Sequence, residues 1–142
     1  MANPVSSEIR NLARYREALR KLFRSTELAA RKVGLTPQQH SLLLGAAALG
    51  GSEGVNISRL ADFLQLRHHT VVELVDRAEQ QGYVIRKENP ENRREVLVIC
   101  TPAGMRKLNQ LATEHRRELQ FMRRRMDILD IERTSPRGPQ RA

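Results

Sequence analysis

The stretch from Ser58 to Gly82 constrains this chain more than any other, because it holds two short helical periods with almost nothing between them. Leu60, Ala61 and Leu64 give one apolar face of only about two turns, and Gln65-Leu66-Arg67 breaks it. A second period follows through Val71, Leu74, Val75 and Ala78 and stops at Gly82, a residue without a Cβ that can take the left-handed cap conformation. Two short helices joined by a tight turn have the outline of a helix-turn-helix.

The flanking text supports one architecture around that pair. Val55-Asn56-Ile57 is a short extended piece, with Ser58 as the expected cap of the first helix. Beyond Gly82, Val84-Ile85 and Val96-Leu97-Val98-Ile99 are β-branched and apolar, and Glu88 to Arg94 separates them as a long charged hairpin tip. Thr36-Pro37-Gln38-Gln39 starts a helix with a capping box and a first-turn proline, running to about Leu49, and Gly50-Gly51-Ser52-Glu53-Gly54 is expected to be a flexible connector.

Long helices are expected at both ends. After Pro4, Ser6 or Ser7 can cap a helix whose residues Ile9, Leu12, Leu19, Phe23, Ala30 and Val33 fall on one stripe, with Tyr15, Leu22 and Ala29 beside it, and Gly34 ends it. Thr101-Pro102 opens a final helix carrying Met105, Leu108, Leu111, Ala112, Leu119, Met122, Met126 and Leu129. The predicted organisation is an N-terminal dimerisation helix in 1–35, a winged helix-turn-helix DNA-binding region in 36–101, one C-terminal dimerisation helix in 102–133 and a disordered basic tail in 134–142. The fold class is mainly α with a small β-hairpin wing. Apolar stripes larger than one small domain can cover argue for a homodimer.

Charge points to the partner. With 25 Lys+Arg against 16 Asp+Glu the chain carries +9, which favours polyanions through counterion release. Aromatic residues are only 4% with no Trp, too few for a base-stacking RNA surface. Neither an apolar run of spanning length nor a leader-like start is present, so no membrane partner and a cytoplasmic location are expected.

Double-stranded DNA is the expected ligand, because an α-helix fits its major groove and the second helix of such a pair is presented there. With Val71, Leu74, Val75 and Ala78 turned inward, His68, His69, Val72, Glu73 and Asp76 face outward, and Arg67 and Thr70 sit near the N-terminal turn. Arg67 could bond guanine bidentately, the histidines could donate or accept according to tautomer, and Glu73 could accept from cytosine although its charge opposes phosphates. Ser58 and Thr70 suit phosphate contacts, and Arg77 on the same helix joins the expected contact set. Arg93 and Arg94, held on a narrow ribbon, could enter the minor groove.

These residues together resemble the MarR family of bacterial regulators. The resemblance rests on Leu60-Ala61-Asp62-Phe63-Leu64, Leu74-Val75-Asp76-Arg77, Gly82-Tyr83-Val84-Ile85-Arg86, Asn89-Pro90, Asn92-Arg93-Arg94 and Thr101-Pro102-Ala103-Gly104, and covers roughly residues 6 to 120. It implies a homodimeric repressor on a pseudo-palindromic operator, with the recognition helix in the major groove and a wing arginine in the minor groove, released by a small ligand or by oxidation. The chain departs from the pattern at Arg67, His68, His69 and Glu73. Asn89 and Asn92 stand where the family typically has aspartates, which implies a weaker brace and a more mobile wing. The family's further C-terminal helix is expected to be missing.

Other chemistries find little support. Cys100 is the single cysteine and sits in an apolar strand, where a thiol is usually inert packing; His40 and His115 lack a chelating spacing, so no metal or other cofactor is expected. Neither a phosphate-binding glycine loop nor a nucleophile–base arrangement appears, which argues against an enzyme. Arg116-Arg117 and Arg123-Arg124-Arg125 read as a solvated face or a supplementary phosphate contact. The alternatives to a repressor are a non-specific architectural DNA-binding protein and a winged-helix interaction module without DNA binding.

Overall fold

The computed structural model describes the backbone of residues 3–133 and the side chains of residues 3–125; the expected basic tail, 134–142, lies outside the described residues. Helices α1 (Ser7–Lys32), α2 (Pro37–Gly45), α3 (Ile57–Leu64), α4 (His68–Gln80), α5 (Pro102–Gln110) and α6 (Ala112–Arg133) accompany strands β1 (Val55–Asn56), β2 (Val84–Asn89) and β3 (Asn92–Cys100). The strands form one antiparallel sheet in the order β1-β3-β2. One compact unit ends at Leu111 and a second, α6, begins at Ala112.

The core of the first unit is assembled from the faces that the periodicity marks. Leu35, Leu42, Leu43 and Ala46 meet Leu60 of α3, Val71, Val75 and Ala78 of α4, and Val84 and Val98 of the sheet, all of them essentially inaccessible to water. The capping box at α2 is complete: Gln39 donates its backbone N–H to Thr36 Oγ1 at 3.1 Å, and the Thr36 N–H returns to Gln39 Oε1 at 3.0 Å. Gln39 also bonds through Nε2 to Gln81 at the end of α4, so one buried side chain touches the start of one helix and the finish of another.

Four expectations need correction. The helix from Pro37 does not run as an α-helix to Leu49; it changes at Gly45 to a π turn, Ala46–Gly50. The following glycines form a packed turn rather than a loose connector: Gly54 donates to Gly50 O at 2.9 Å. A Cβ on Gly54, whose φ is +97°, would meet the Leu97 Cβ at 2.8 Å. The cap of α3 is Asn56 and not Ser58, because Asn56 Oδ1 accepts the Arg59 N–H at 2.7 Å and the helix starts one residue before Ser58.

Finally, the C-terminal segment is two helices instead of one. At Leu111 the backbone N–H bonds to Leu108 O, a tightened last turn, and the Leu111 side chain is buried, which ends α5 there. The span expected as one final helix, 102–133, is thus divided between α5 and α6.

Candidate nucleic-acid interface

The turn between α3 and α4 is made by Gln65, which takes the left-handed conformation at φ 52°, ψ 44° and closes α3 through its N–H to Ala61 and Asp62 carbonyls. Leu66 and Arg67 then lead directly into α4, with Arg67 in the extended N-cap position and no side-chain cap. The expected contact residues fall into three groups.

His68, Val72, Ser58 and Arg94 come together around an open groove of about 310 Å³, which Asn56, Ile57, Arg86, Glu95 and Val96 also line. The groove therefore runs between the starts of α3 and α4 and the base of the wing. His69, Glu73 and Arg77 lie elsewhere, spaced by four on α4 and exposed, so they make one ridge. Arg67 and Arg93 are exposed outside the groove, and Thr70 is half-buried.

The wing is tighter than its charged sequence implies. Its turn is only Pro90–Glu91, and the strands continue to Asn89 and Asn92. Between the ladder pairs Asn89↔Asn92 and Glu88↔Val96 the register shifts, leaving Arg93, Arg94 and Glu95 without ladder partners. Such a bulge re-aims side chains. Here it sends both arginines into solvent and turns Glu95 back, where one carboxylate oxygen accepts Asn56 Nδ2 at 2.7 Å and the other accepts Asn89 Nδ2 at 2.9 Å.

The two wing asparagines thus brace the tip with amide chemistry. Asn89 Oδ1 accepts the Glu91 N–H at 3.1 Å, and Asn92 Oδ1 accepts the Arg94 N–H at 3.2 Å. The brace that the asparagines were expected to weaken is present in a different form.

At the root of the wing, Arg86 holds α4. Its guanidinium pairs with Asp76, and with Glu79 at 2.9 Å, while its backbone N–H donates to Glu79 at 3.0 Å. Burial, the largest single influence, acts to lower the Arg86 pKa, but the hydrogen bonds and charges of Asp76 and Glu79 together outweigh it and raise the value. Asp76 is therefore engaged within the protein. Asn56, Arg86 and Glu95 were not singled out as interface residues from the sequence. Asn56 had a usable signal, being a capping residue type three positions before the amide it accepts; the other two had none of short range.

Cys100 is half-buried on β3, and burial pushes its thiol pKa up. Among the described residues no group of three His, Cys, Asp or Glu side chains is placed to hold a metal ion. No helix among them is long and apolar enough to cross a membrane.

Residues 33–95 match the sequence profile of the MarR family, the segment from the end of α1 to the wing bulge. The chain is 34% identical over 95 residues to the uncharacterized HTH-type transcriptional regulator YdcH of Bacillus subtilis (strain 168), a match covering 61% of this chain and 65% of that relative's length. In three dimensions it is similar to AbsC, a MarR family transcriptional regulator from Streptomyces coelicolor, with a TM-score of 0.74, 17% identity, and coverage of 94% and 92% of the two chains. It is also similar to the transcriptional repressor CouR bound to a 23-mer DNA duplex, with a TM-score of 0.66, 25% identity, and coverage of 94% and 98%.

Proposed function

We propose that the chain is a MarR family member, whose profile it matches over residues 33–95, and that it is a sequence-specific DNA-binding transcriptional regulator acting as a dimeric repressor in the cytoplasm. The observation carrying this reading is the convergence of Ser58, His68, Val72 and Arg94 on one groove, beside the exposed ridge of His69, Glu73 and Arg77. An open channel between a helix start and a wing suits a phosphate backbone, and the ridge suits base edges in the major groove. The regulator CouR, similar in fold, is bound to DNA.

A second copy of the chain is part of the proposal. Ile9, Leu12 and Phe23 of α1 remain about half exposed, an apolar stripe that association would cover. A two-fold pair of heads sets half-sites roughly 34 Å apart, one turn of the duplex. A small-molecule effector fits the same reading, supported by a cavity of about 170 Å³ between α1 and α2 lined by Phe23, Thr26, Glu27, Pro37, His40 and Ser41.

Selection of bound duplexes from a random pool tests the function directly. A recovered two-fold motif with half-sites one helical turn apart is the expected result. Equal affinity for all sequences would replace the regulator by an architectural protein, and no binding at low salt would remove both.

A further inference from the structure

The helix expected to lie against DNA is itself acidic. α4 carries Glu73, Asp76 and Glu79 against Arg77 alone, and a helix of that charge is repelled by a phosphate backbone. At 100° per residue Asp76 falls between His68 and Glu73 on the helix surface, opposite the buried side of Val71, Leu74, Val75 and Ala78. Its carboxylate is 52% exposed, so solvent does not lack access to it.

Arg86 changes this balance from outside the helix. It comes from β2, reaches across to both Asp76 and Glu79, and lines the same groove as His68, Val72 and Arg94. Among the described residues Glu73 is then the carboxylate of α4 left without an ion pair. Together with Arg77 on the helix itself, Arg86 sets two positive charges against the two negative ones of Asp76 and Glu79, and an unbalanced charge there would act on a phosphate over a Debye length of about 8 Å.

Resting on the DNA-binding reading above, we propose that Arg86 is a positioning residue that acts by masking charge: it offsets one of the two negative charges of Asp76 and Glu79 so that α4 can approach the phosphates. A mask and a mere structural tie make opposite predictions once the acids are gone. Removing Arg86 alone exposes two carboxylates, whereas removing all three groups leaves nothing to mask and also no tie.

The test measures fluorescence anisotropy of the full chain on a labelled duplex recovered by the selection, over a series of salt concentrations, with thermal melts confirming that each variant is folded. Arg86→Gln should weaken binding at least tenfold at low salt, with the deficit shrinking as salt rises. The triple variant D76N/E79Q/R86Q should return to within about threefold of the parent, and Arg86→Lys, which keeps the charge, should stay near it. D76N/E79Q, which frees Arg86, should bind undiminished with a steeper salt dependence, by about one counterion.

An Arg86→Gln variant within twofold of the parent overturns the proposal, as does a triple variant no better than the single one. If Arg86→Gln does not fold, D76N/E79Q decides: undiminished affinity supports the mask and weakened affinity overturns it. A parent chain that binds no duplex overturns the DNA reading and this inference together, while a binding parent with an unrescued triple variant overturns the inference alone.

Discussion

Glu95 accepts the Asn56 side-chain amide at 2.7 Å across thirty-nine positions of sequence, joining the wing to the cap of α3. The same carboxylate holds Asn89, so one side chain fixes the wing at two points. Glu95→Ala leaves both amides to water, and a loss of about 1–2 kcal/mol in denaturant unfolding is expected for these charge-assisted bonds. DNA affinity should fall in the same variant, since the bulge that carries Arg94 is then untethered. An unchanged unfolding midpoint would show that water replaces Glu95 at no cost.

Arg94→Ala should weaken DNA binding about tenfold and reduce the salt slope by about one, while A·T content beneath the wing should matter less than in the parent. Arg77→Ala, on the exposed ridge, should act differently if it reaches a base, changing preference at particular positions of the duplex. Competition titrations against a panel of single-base variants separate the two cases.

Gly104 shows how closely α5 sits on the hairpin. A Cβ there would stand 2.4 Å from Tyr83 O and 2.8 Å from Cys100 Sγ, and a backbone carbonyl cannot swing aside. Gly104→Ala should cost about 2–3 kcal/mol from overpacking. At Gly45 the nearest obstruction is the Phe63 ring at 2.7 Å, with Leu60 Cδ2 at 3.2 Å, and Phe63 as a residue is 43% exposed, so its ring has room to turn outward. Gly45→Ala should therefore be milder, by at least about 1 kcal/mol, in matched thermal melts.

The Cys100 thiol gives the chain an alkaline weakness. Burial favours the neutral thiol and raises its pKa in the folded state, so the associated stability is complete below the ordinary thiol value of about 8.5 and declines as pH rises toward the folded value. Between pH 7 and pH 9.5 the unfolding midpoint of the parent should drop further than that of Cys100→Ala. Parallel declines would assign the alkaline loss to other groups. At neutral pH the thiol should also alkylate slowly.

Association should depend on the N-terminal stripe. Substituting Ile9 and Leu12 by Glu places two charges on residues now 61% and 55% exposed, which a lone chain tolerates and a buried dimer contact does not. Light scattering is expected to give a monomer. A persisting dimer would locate the contact on another surface.

Much of the scaffold was legible in the sequence because it obeys short-range rules. Thr36 and Gln39 close their own turn, Thr101 caps Gly104 at 3.1 Å, and Val71, Leu74, Val75 and Ala78 are buried as their spacing requires. What escaped was set by distant groups. The π turn after Gly45 sits against β3, where a Cβ on Gly50 would stand 3.3 Å from Val98 O, and the break at Leu111 follows from burying that one side chain. Asn56 outcompeted Ser58 as a cap while also bonding Glu95 from the far strand.

The candidate interface divides in the same way. Outward spacing on α4 marked His68, His69, Val72, Glu73 and Asp76 alike, but no local pattern tells Asp76 apart from Glu73. Their difference arises from Arg86, which joins Asp76 from ten positions away. Likewise the arginines of the wing were visible, whereas the bulge that aims them depends on how two strands register.

The two-residue strand β1 has a consequence for how the chain reaches this form. It pairs with Leu97 and Val98, about forty residues later, and becomes α3 without a linker, so the helix-turn-helix lies inside a loop that this pairing helps to close. The β2–β3 hairpin is local and forms on a microsecond scale, whereas the enclosing pair bears the larger loop entropy and forms after it. The reading head should therefore mature last, and substitutions at Val55 or Val98 should slow refolding more than those at the hairpin turn.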